Sequence, residues 1–362
     1  MSTKILAMYL PQFHEFEQNN KWWGKGFTEW TNLKKAKSLF RGHRQPRVPL
    51  KQNYYNLLDK KTIYQQVELA KKYGIYGFCI YHYWFQDTQI MEKPAEILLE
   101  NKDIDIKFCF SWANHTWTKA PGKKETQVLI RQTYGEKKNW IDHFKYLNKF
   151  FKDSRYIKIN NKPILVIYNV VDIGCWREMS RCWYELAQKK GWNGIYYIST
   201  LKSSKDIGIA ERMGLDAQFE YQPTFGTRRD GMKLDYGFWY HFKYNVLNLK
   251  IYNYVTRFRY ENVWKSIMKK EYKGDMKTFL GAFNDWDTTA RWGHKGNVVV
   301  GSSPYKFEKY FEIQWKKSNE RSNEFLFITA WNEWSEGAYL EPDEEIGYGY
   351  LEAVGRVVGC CK

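Results

Sequence analysis

The run Pro163-Ile164-Leu165-Val166-Ile167-Tyr168-Asn169 shows no alternation of apolar and polar positions. A strand with one wet face alternates, so an unbroken apolar run of this length belongs to a strand covered on both faces. Such strands build parallel sheets, because each crossover between parallel neighbours lays a helix against the sheet. Seven further runs of this kind stand at 5–10, 76–83, 107–112, 194–200, 217–221, 278–283 and 325–331. The segments between them carry helical period. Ile63, Val67 and Ala70 form one stripe over 62–73, with Gly74 after it as a stop signal. Trp140, Phe144, Leu147 and Phe151 form a second stripe, and Phe307 and Phe311 belong to a third helix over 304–318.

Eight strands alternating with helices predict a single-domain α/β chain, residues 1–362, folded as a (β/α)8 TIM barrel with long loops on the catalytic face. A doubly wound open sheet is the rival. It advertises a glycine-rich turn after its first strand, and here Leu10-Pro11-Gln12 stands in that place. Two connections are overlong, at about 14–58 and 222–277. In a barrel both leave from strand C-terminal ends, so both are expected to wall the site. The amphipathic stretch 239–254 within the second is expected to pack against the barrel.

Aromatic residues make up 19% of the chain. Rings stack on the C–H faces of sugars and also fill cores, so the excess points to carbohydrate or to packing. The formal charge of +17 suggests an anionic partner, such as an acidic polysaccharide, a lipid-linked phosphate or a membrane face, or else a compositional bias toward lysine. No zinc-finger spacing or basic heptad accompanies it, so nucleic acid is not expected. The apolar run at 5–10 is too short for a secretory segment, no run is long enough to span a membrane, and six cysteines make no disulfide framework. A cytoplasmic protein is expected, with a peripheral position at the inner membrane as one reading of the charge.

The chemistry is concentrated after the eighth strand, in Trp331-Asn332-Glu333-Trp334-Ser335-Glu336-Gly337. Cleaving a glycosidic bond takes one carboxyl kept protonated for the leaving oxygen and one ionised as base, nucleophile or stabiliser. An indole wall raises one pKa by desolvation, and each ionised carboxylate raises its neighbour's. Glu333 and Glu336 are therefore the candidate catalytic pair, with Trp331, Asn332 and Trp334 as candidate contacts. A solvated acidic loop is the plain alternative for two acids three residues apart. Other strand ends are polar and aromatic too: Tyr9 to His14, Tyr81-His82-Tyr83-Trp84, Trp112-Ala113-Asn114-His115, and Asn284-Asp285-Trp286-Asp287. In a barrel these converge on one pocket, although each singly also reads as core. From the first long loop, Glu29 and Trp30 within Trp22-Trp23-Gly24-Lys25-Gly26-Phe27-Thr28-Glu29-Trp30 can meet a sugar or plug the barrel. No HExxH or CxxC pair is present, so neither metal nor cofactor is expected. The DxD form of Asp285-Trp286-Asp287 is weak support for a nucleotide-sugar site.

Taken in order, MYLPQFH, WWGKGFTEW, YGFCIYHYWF, FSWANHTW and WNEWSEG resemble the WbsX-like proteins, relatives of the family 99 endo-α-mannosidases. The resemblance runs from Ile5 to about Gly355. It implies a retaining glycoside hydrolase, or a glycosyltransferase or transglycosylase, serving bacterial O-antigen or capsule. It also implies a 1,2-anhydro sugar intermediate, with Glu333 taking the proton of the substrate's 2-hydroxyl and Glu336 as acid and then base. Tyr9, His14, Glu29, Tyr83, Trp112, Asn114 and Tyr221 become candidate subsite contacts by position. Those hydrolases often read WNEWHEG where this chain has Ser335, which bears on sugar identity.

Overall fold

Eight parallel strands close into a ring. They are β1 (Lys4–Tyr9), β2 (Ile75–Phe85), β3 (Lys107–Trp112), β4 (Lys162–Ile167), β5 (Tyr196–Leu201), β6 (Ala217–Glu220), β7 (Thr278–Phe283) and β8 (Phe325–Thr329). Each pairs in parallel with its successor, and β1 pairs with both β8 and β2, which closes the circle and excludes the open sheet. The computed structural model describes residues 2–86, 88–119, 127–227, 255–269 and 275–360. The amphipathic stretch 239–254 lies outside the described residues, as does most of the second insertion.

One helix follows each strand: α1 (Lys60–Lys72), α2 (Lys93–Glu100), α3 (Lys137–Phe151), α4 (Trp176–Gln188), the single turn α5 (Ile209–Arg212), α6 (Tyr260–Met268), α7 (Pro304–Glu320) and α8 (Gly349–Val358). The apolar stripes explain the packing. Ile63, Val67 and Ala70 of α1 are buried, as are Phe144, Leu147 and Phe151 of α3 and Phe307 and Phe311 of α7. Gly74 closes α1 in the left-handed region, φ +80°, where a glycine carries no Cβ penalty. Asp59 caps the start of α1 by accepting from the Lys61 N–H, and Ser303 caps α7 through the Lys306 N–H.

The sides of the ring differ in what they meet. Strands present alternate residues to opposite faces. On β2 and β3, His82, Trp84, Phe110 and Trp112 face outward, because their rings pack on His143, Tyr146 and Phe150 of α3. The opposite parity faces inward. Phe219 of β6 touches Phe327 of β8 at 4.5 Å, and since β7 lies between these strands the contact crosses the barrel interior. Cys79 and Cys109 are register partners and fully buried, as the apolar runs around them predict. At Gly281 of β7 an added Cβ would fall 1.9 Å from the Glu220 carbonyl oxygen, so only glycine permits this approach of β6.

Candidate active site

Beyond β8 the chain makes a short hairpin, Asn332–Glu333 against Ala338–Tyr339, whose connection is the 3-10 turn Trp334–Glu336. Gly337 leaves that turn at φ +63°, and a Cβ there would meet Asp287 at 2.8 Å. Only a glycine allows the turn to lie so close to the loop after β7, where the Asp287 N–H donates to the Glu336 carbonyl at 2.6 Å. The side chains of Glu333 and Glu336 both enter a cavity of about 500 Å³ at the C-terminal mouth of the barrel.

Four elements close this cavity. The first insertion contributes Trp23, Phe27, Glu29 and Asn32, so it does wall the site. The ends of β2 and β6 contribute Tyr81, Tyr83 and Tyr221, with the Tyr81 and Tyr221 hydroxyls 2.9 Å apart. The loops after β3 and β4 add His115, Trp117, Lys119 and Tyr168, and the one-turn helix Thr289–Trp292 adds Arg291 and Trp292. Arg291 is the electrostatic centre. Its Nη1 donates to Glu336 Oε1 at 2.8 Å, and its Nη2 lies 3.2 Å from Glu29 Oε2 and 3.6 Å from Glu333 Oε2.

Burial and the Glu336 charge push Glu333 well above the usual carboxylate range, against the pull of Arg291. Burial also raises Glu336, with Arg291 opposing it and Glu29 assisting. The His115 imidazole is lowered to about 4, by burial and then by the Lys202 charge, and is neutral near pH 7.

Of the residues singled out from the sequence, Glu29, Tyr83, Tyr221, Glu333 and Glu336 line this cavity. The others support it from behind or stand elsewhere. Tyr9 donates to Gln66 of α1 at 2.7 Å, and Asn332 pairs with the Leu10 backbone. Trp331 packs on Phe78, and Trp30 donates to the Tyr55 carbonyl at 2.8 Å. His82 shares a 2.9 Å hydrogen bond with His143 under α3, and Trp112 donates to the Trp84 carbonyl. Asn114 exchanges hydrogen bonds with the Asn169 backbone and so ties the ends of β3 and β4 together. His14 lines a separate pocket behind the first insertion.

Trp334 stacks on Tyr339 with centroids 3.7 Å apart and donates to Glu341 at 2.6 Å. Burial pushes the Glu341 carboxyl up to about 7, although Trp334, Tyr55 and Gln66 all donate to it.

Asp285 and Asp287 turn away from the cavity. Asp285 accepts from Arg47 at 2.8 Å and Arg44 at 3.3 Å, and Asp287 from His43 and Gln45, each at 2.8 Å. Burial alone would raise Asp287, but the His43 hydrogen bond and the Arg47 charge outweigh it and hold the carboxyl low. The DxD triplet is thus committed to ion pairs that pin the loop 43–47. His14, His82 and His115 sit in three different environments, and among the described residues no group of three metal-ligating side chains comes together.

Tyr81, Tyr168, His115 and Arg291 complete the cup without having been picked out from the sequence. For Tyr81 a signal existed, because it shares the parity of Tyr83 on β2 whereas His82 does not. For Arg291 there was none, since its place depends on how a one-turn helix in a loop settles against the hairpin.

Comparison with known proteins agrees with this architecture. Residues 5–354 match the family model described as Glycosyltransferase WbsX. The protein WxcX from two strains of Xanthomonas campestris pv. campestris is 28% identical over 98% of this chain. The chain spans about half, 49%, of the length of these curated relatives. A solved GH99 endo-α-mannosidase from Bacteroides thetaiotaomicron superposes over 98% of this chain and 96% of its own, with TM-score 0.58 and 13% identity. A glycoside hydrolase-like protein does so over 98% and 94%, with TM-score 0.61 and 11% identity. At these identities the likeness speaks for the (β/α)8 fold.

Proposed function

This chain belongs to the WbsX glycosyltransferase family, and from that premise we propose that it is a retaining glycoside hydrolase acting on a bacterial surface polysaccharide or its lipid-linked precursor. One observation carries the reading. Two glutamates from a single turn enter one aromatic-walled cavity at the C-terminal mouth of a barrel, where strand-end residues perform chemistry in this fold. Burial keeps the pair from ionising together, and an acid with a base is what glycosidic cleavage requires.

In the proposed reaction the ionised glutamate takes the proton of the sugar's 2-hydroxyl, and O2 attacks the anomeric carbon. The protonated glutamate gives its proton to the departing glycosidic oxygen, leaving a 1,2-anhydro sugar. That second glutamate, now ionised, takes a proton from water as the water oxygen adds to the anomeric carbon. The C1–O2 bond breaks, and O2 recovers its proton from the first glutamate. Two inversions retain the configuration. Tyr83, Tyr221 and the Trp23 and Trp292 rings offer hydroxyls and stacking faces to the sugars on either side.

Glycosyl transfer to an acceptor hydroxyl is the second reading, favoured by the family description. It uses the same two acids and replaces water by the acceptor. A metal-dependent nucleotide-sugar transferase is disfavoured, because Asp285 and Asp287 are bound to Arg44, Arg47, His43 and Gln45. Among the described residues no helix is long and apolar enough to cross a membrane. A cytoplasmic enzyme working at the inner membrane face, in O-antigen or capsule assembly, suits the charge of +17. Incubation with a panel of bacterial polysaccharides and sugar nucleotides, with products read by mass, tests the proposal. Released oligosaccharide supports hydrolysis, and released nucleotide overturns it.

A further inference from the structure

Three carboxylates and one guanidinium share the floor of the cavity, and their distances from Arg291 are unequal: 2.8 Å for Glu336, 3.2 Å for Glu29 and 3.6 Å for Glu333. With all three ionised, two negative charges would stand uncompensated where little water reaches. At such separations the repulsion is several times its value in bulk water, so the cluster keeps a proton at neutral pH. We propose that Arg291 is the positioning residue that decides where this proton sits, holding Glu336 as the carboxylate and leaving Glu333 as the acid. The inference rests on the glycosidic reading of the cavity, and it reverses the roles that resemblance assigned to the two glutamates.

The geometry supports it in three ways. Glu336 accepts a direct hydrogen bond from the guanidinium, which favours its ionised form. Glu333 Oε2 is buried and makes no hydrogen bond. An ionised oxygen so placed would lack solvation, whereas a carboxylic O–H there can donate to an arriving glycosidic oxygen. The Glu333 side chain is also the more enclosed, 6% exposed against 18% for Glu336.

The other groups facing the pair do not change the order. Tyr81 and Tyr83 of β2 and Tyr221 after β6 are buried phenols, which burial raises further above neutrality. His115 is neutral, and Asp287 directs its carboxylate to His43. Among the described residues lining the cavity the other cation is Lys119, which lies over the Trp23 ring. The reaction balances with Glu336 taking the 2-hydroxyl proton and Glu333 supplying the leaving-group proton. Glu333 then takes a proton from water while Glu336 returns its own to O2.

The test needs no substrate. Protein carrying carboxyl-13C glutamate is titrated by NMR, with the two resonances assigned from Glu333→Gln and Glu336→Gln. At neutral pH Glu333 is expected at the chemical shift of an acid and Glu336 at that of a carboxylate. Arg291→Gln should raise the Glu336 midpoint by about one pH unit or more, and Arg291→Lys by less. A Glu333 midpoint below that of Glu336, or a Glu336 midpoint unmoved in Arg291→Gln, overturns the assignment. Should Arg291→Gln fail to fold, the order of the two wild-type midpoints decides alone. Inactivity toward every glycan would remove the hydrolase reading and leave this titration order standing.

Discussion

Asn332 pairs with the backbone of Leu10 through both ends of its amide: the Leu10 N–H donates to Oδ1 at 2.7 Å, and Nδ2 donates to the Leu10 carbonyl at 3.0 Å. The ladder between β1 and β8 has ended at this level, so one side chain continues the seam as a strand would. Asn332→Ala should leave two buried backbone groups unpaired, at about 1–3 kcal/mol each. Urea unfolding would read the loss. Because Glu333 is the next residue, turnover should fall with it.

Glu333→Gln and Glu336→Gln each remove a carboxyl while keeping its shape. Either change should lower turnover by about 10²–10⁴-fold, the usual weight of a general acid or base, while saccharide affinity is spared. Steady-state kinetics and calorimetric binding separate the two quantities. Equal loss of binding and of fold would reassign both residues to structure.

Parity on a strand predicts different consequences for adjacent residues. Tyr83 faces the cavity and His82 faces α3. Tyr83→Ala should weaken saccharide binding with little change in melting temperature. Trp112→Ala, on the outer face, should cost about 3–5 kcal/mol of stability, the range for a large aromatic lost from a core. Thermal melts beside binding isotherms would show the two effects dissociated.

Buried titratable groups give stability two opposing slopes with pH. Glu341 holds its proton up to about 7 when folded, against 4.5 for an ordinary glutamate. Between those values the unfolded chain has released the proton and the native chain has not, so the stability from this group falls as pH rises. Over that window Glu341→Gln should remove a loss of about 3 kcal/mol. His14 and His82 behave oppositely, lowered to about 4 and about 3 by burial. Below 6.5 the unfolded chain binds protons that the native chain refuses, so stability falls with falling pH. Denaturant titrations of wild type and Glu341→Gln across this range check both signs.

The charge of +17 predicts a preference for anionic glycans that weakens with salt. At the reacting centre three glutamates outnumber Arg291, so this preference should arise from sugars further along the chain. Binding that ignores both salt and substrate charge would assign the lysines to composition.

Unbroken apolar runs and helical stripes made the barrel legible, because burial on both faces leaves a mark on every residue of a strand. The acid pair was legible for a related reason, since both members sit a few residues past the last such run. Trp331 and Trp334 flank them in sequence but serve the packing around the turn. His82, Trp112 and Asn114 looked like ligand contacts because strand ends are rich in such residues, yet each satisfies its polar atoms within the protein. Parity separates them from Tyr81 and Tyr83. Arg291 and the ion pairs of Asp285 and Asp287 join residues far apart in sequence, and local pattern carries no record of them.

Both acids ride on one turn and do not face each other from opposite strands. Their spacing is a local property of six or so backbone bonds, insensitive to breathing of the ring. The walls, by contrast, come from loops leaving other strands. Evolution can therefore exchange the walls to meet a new glycan while the proton-handling unit travels unchanged, and a transplant of residues 331–341 without Arg291 would carry the acids but not their order of ionisation.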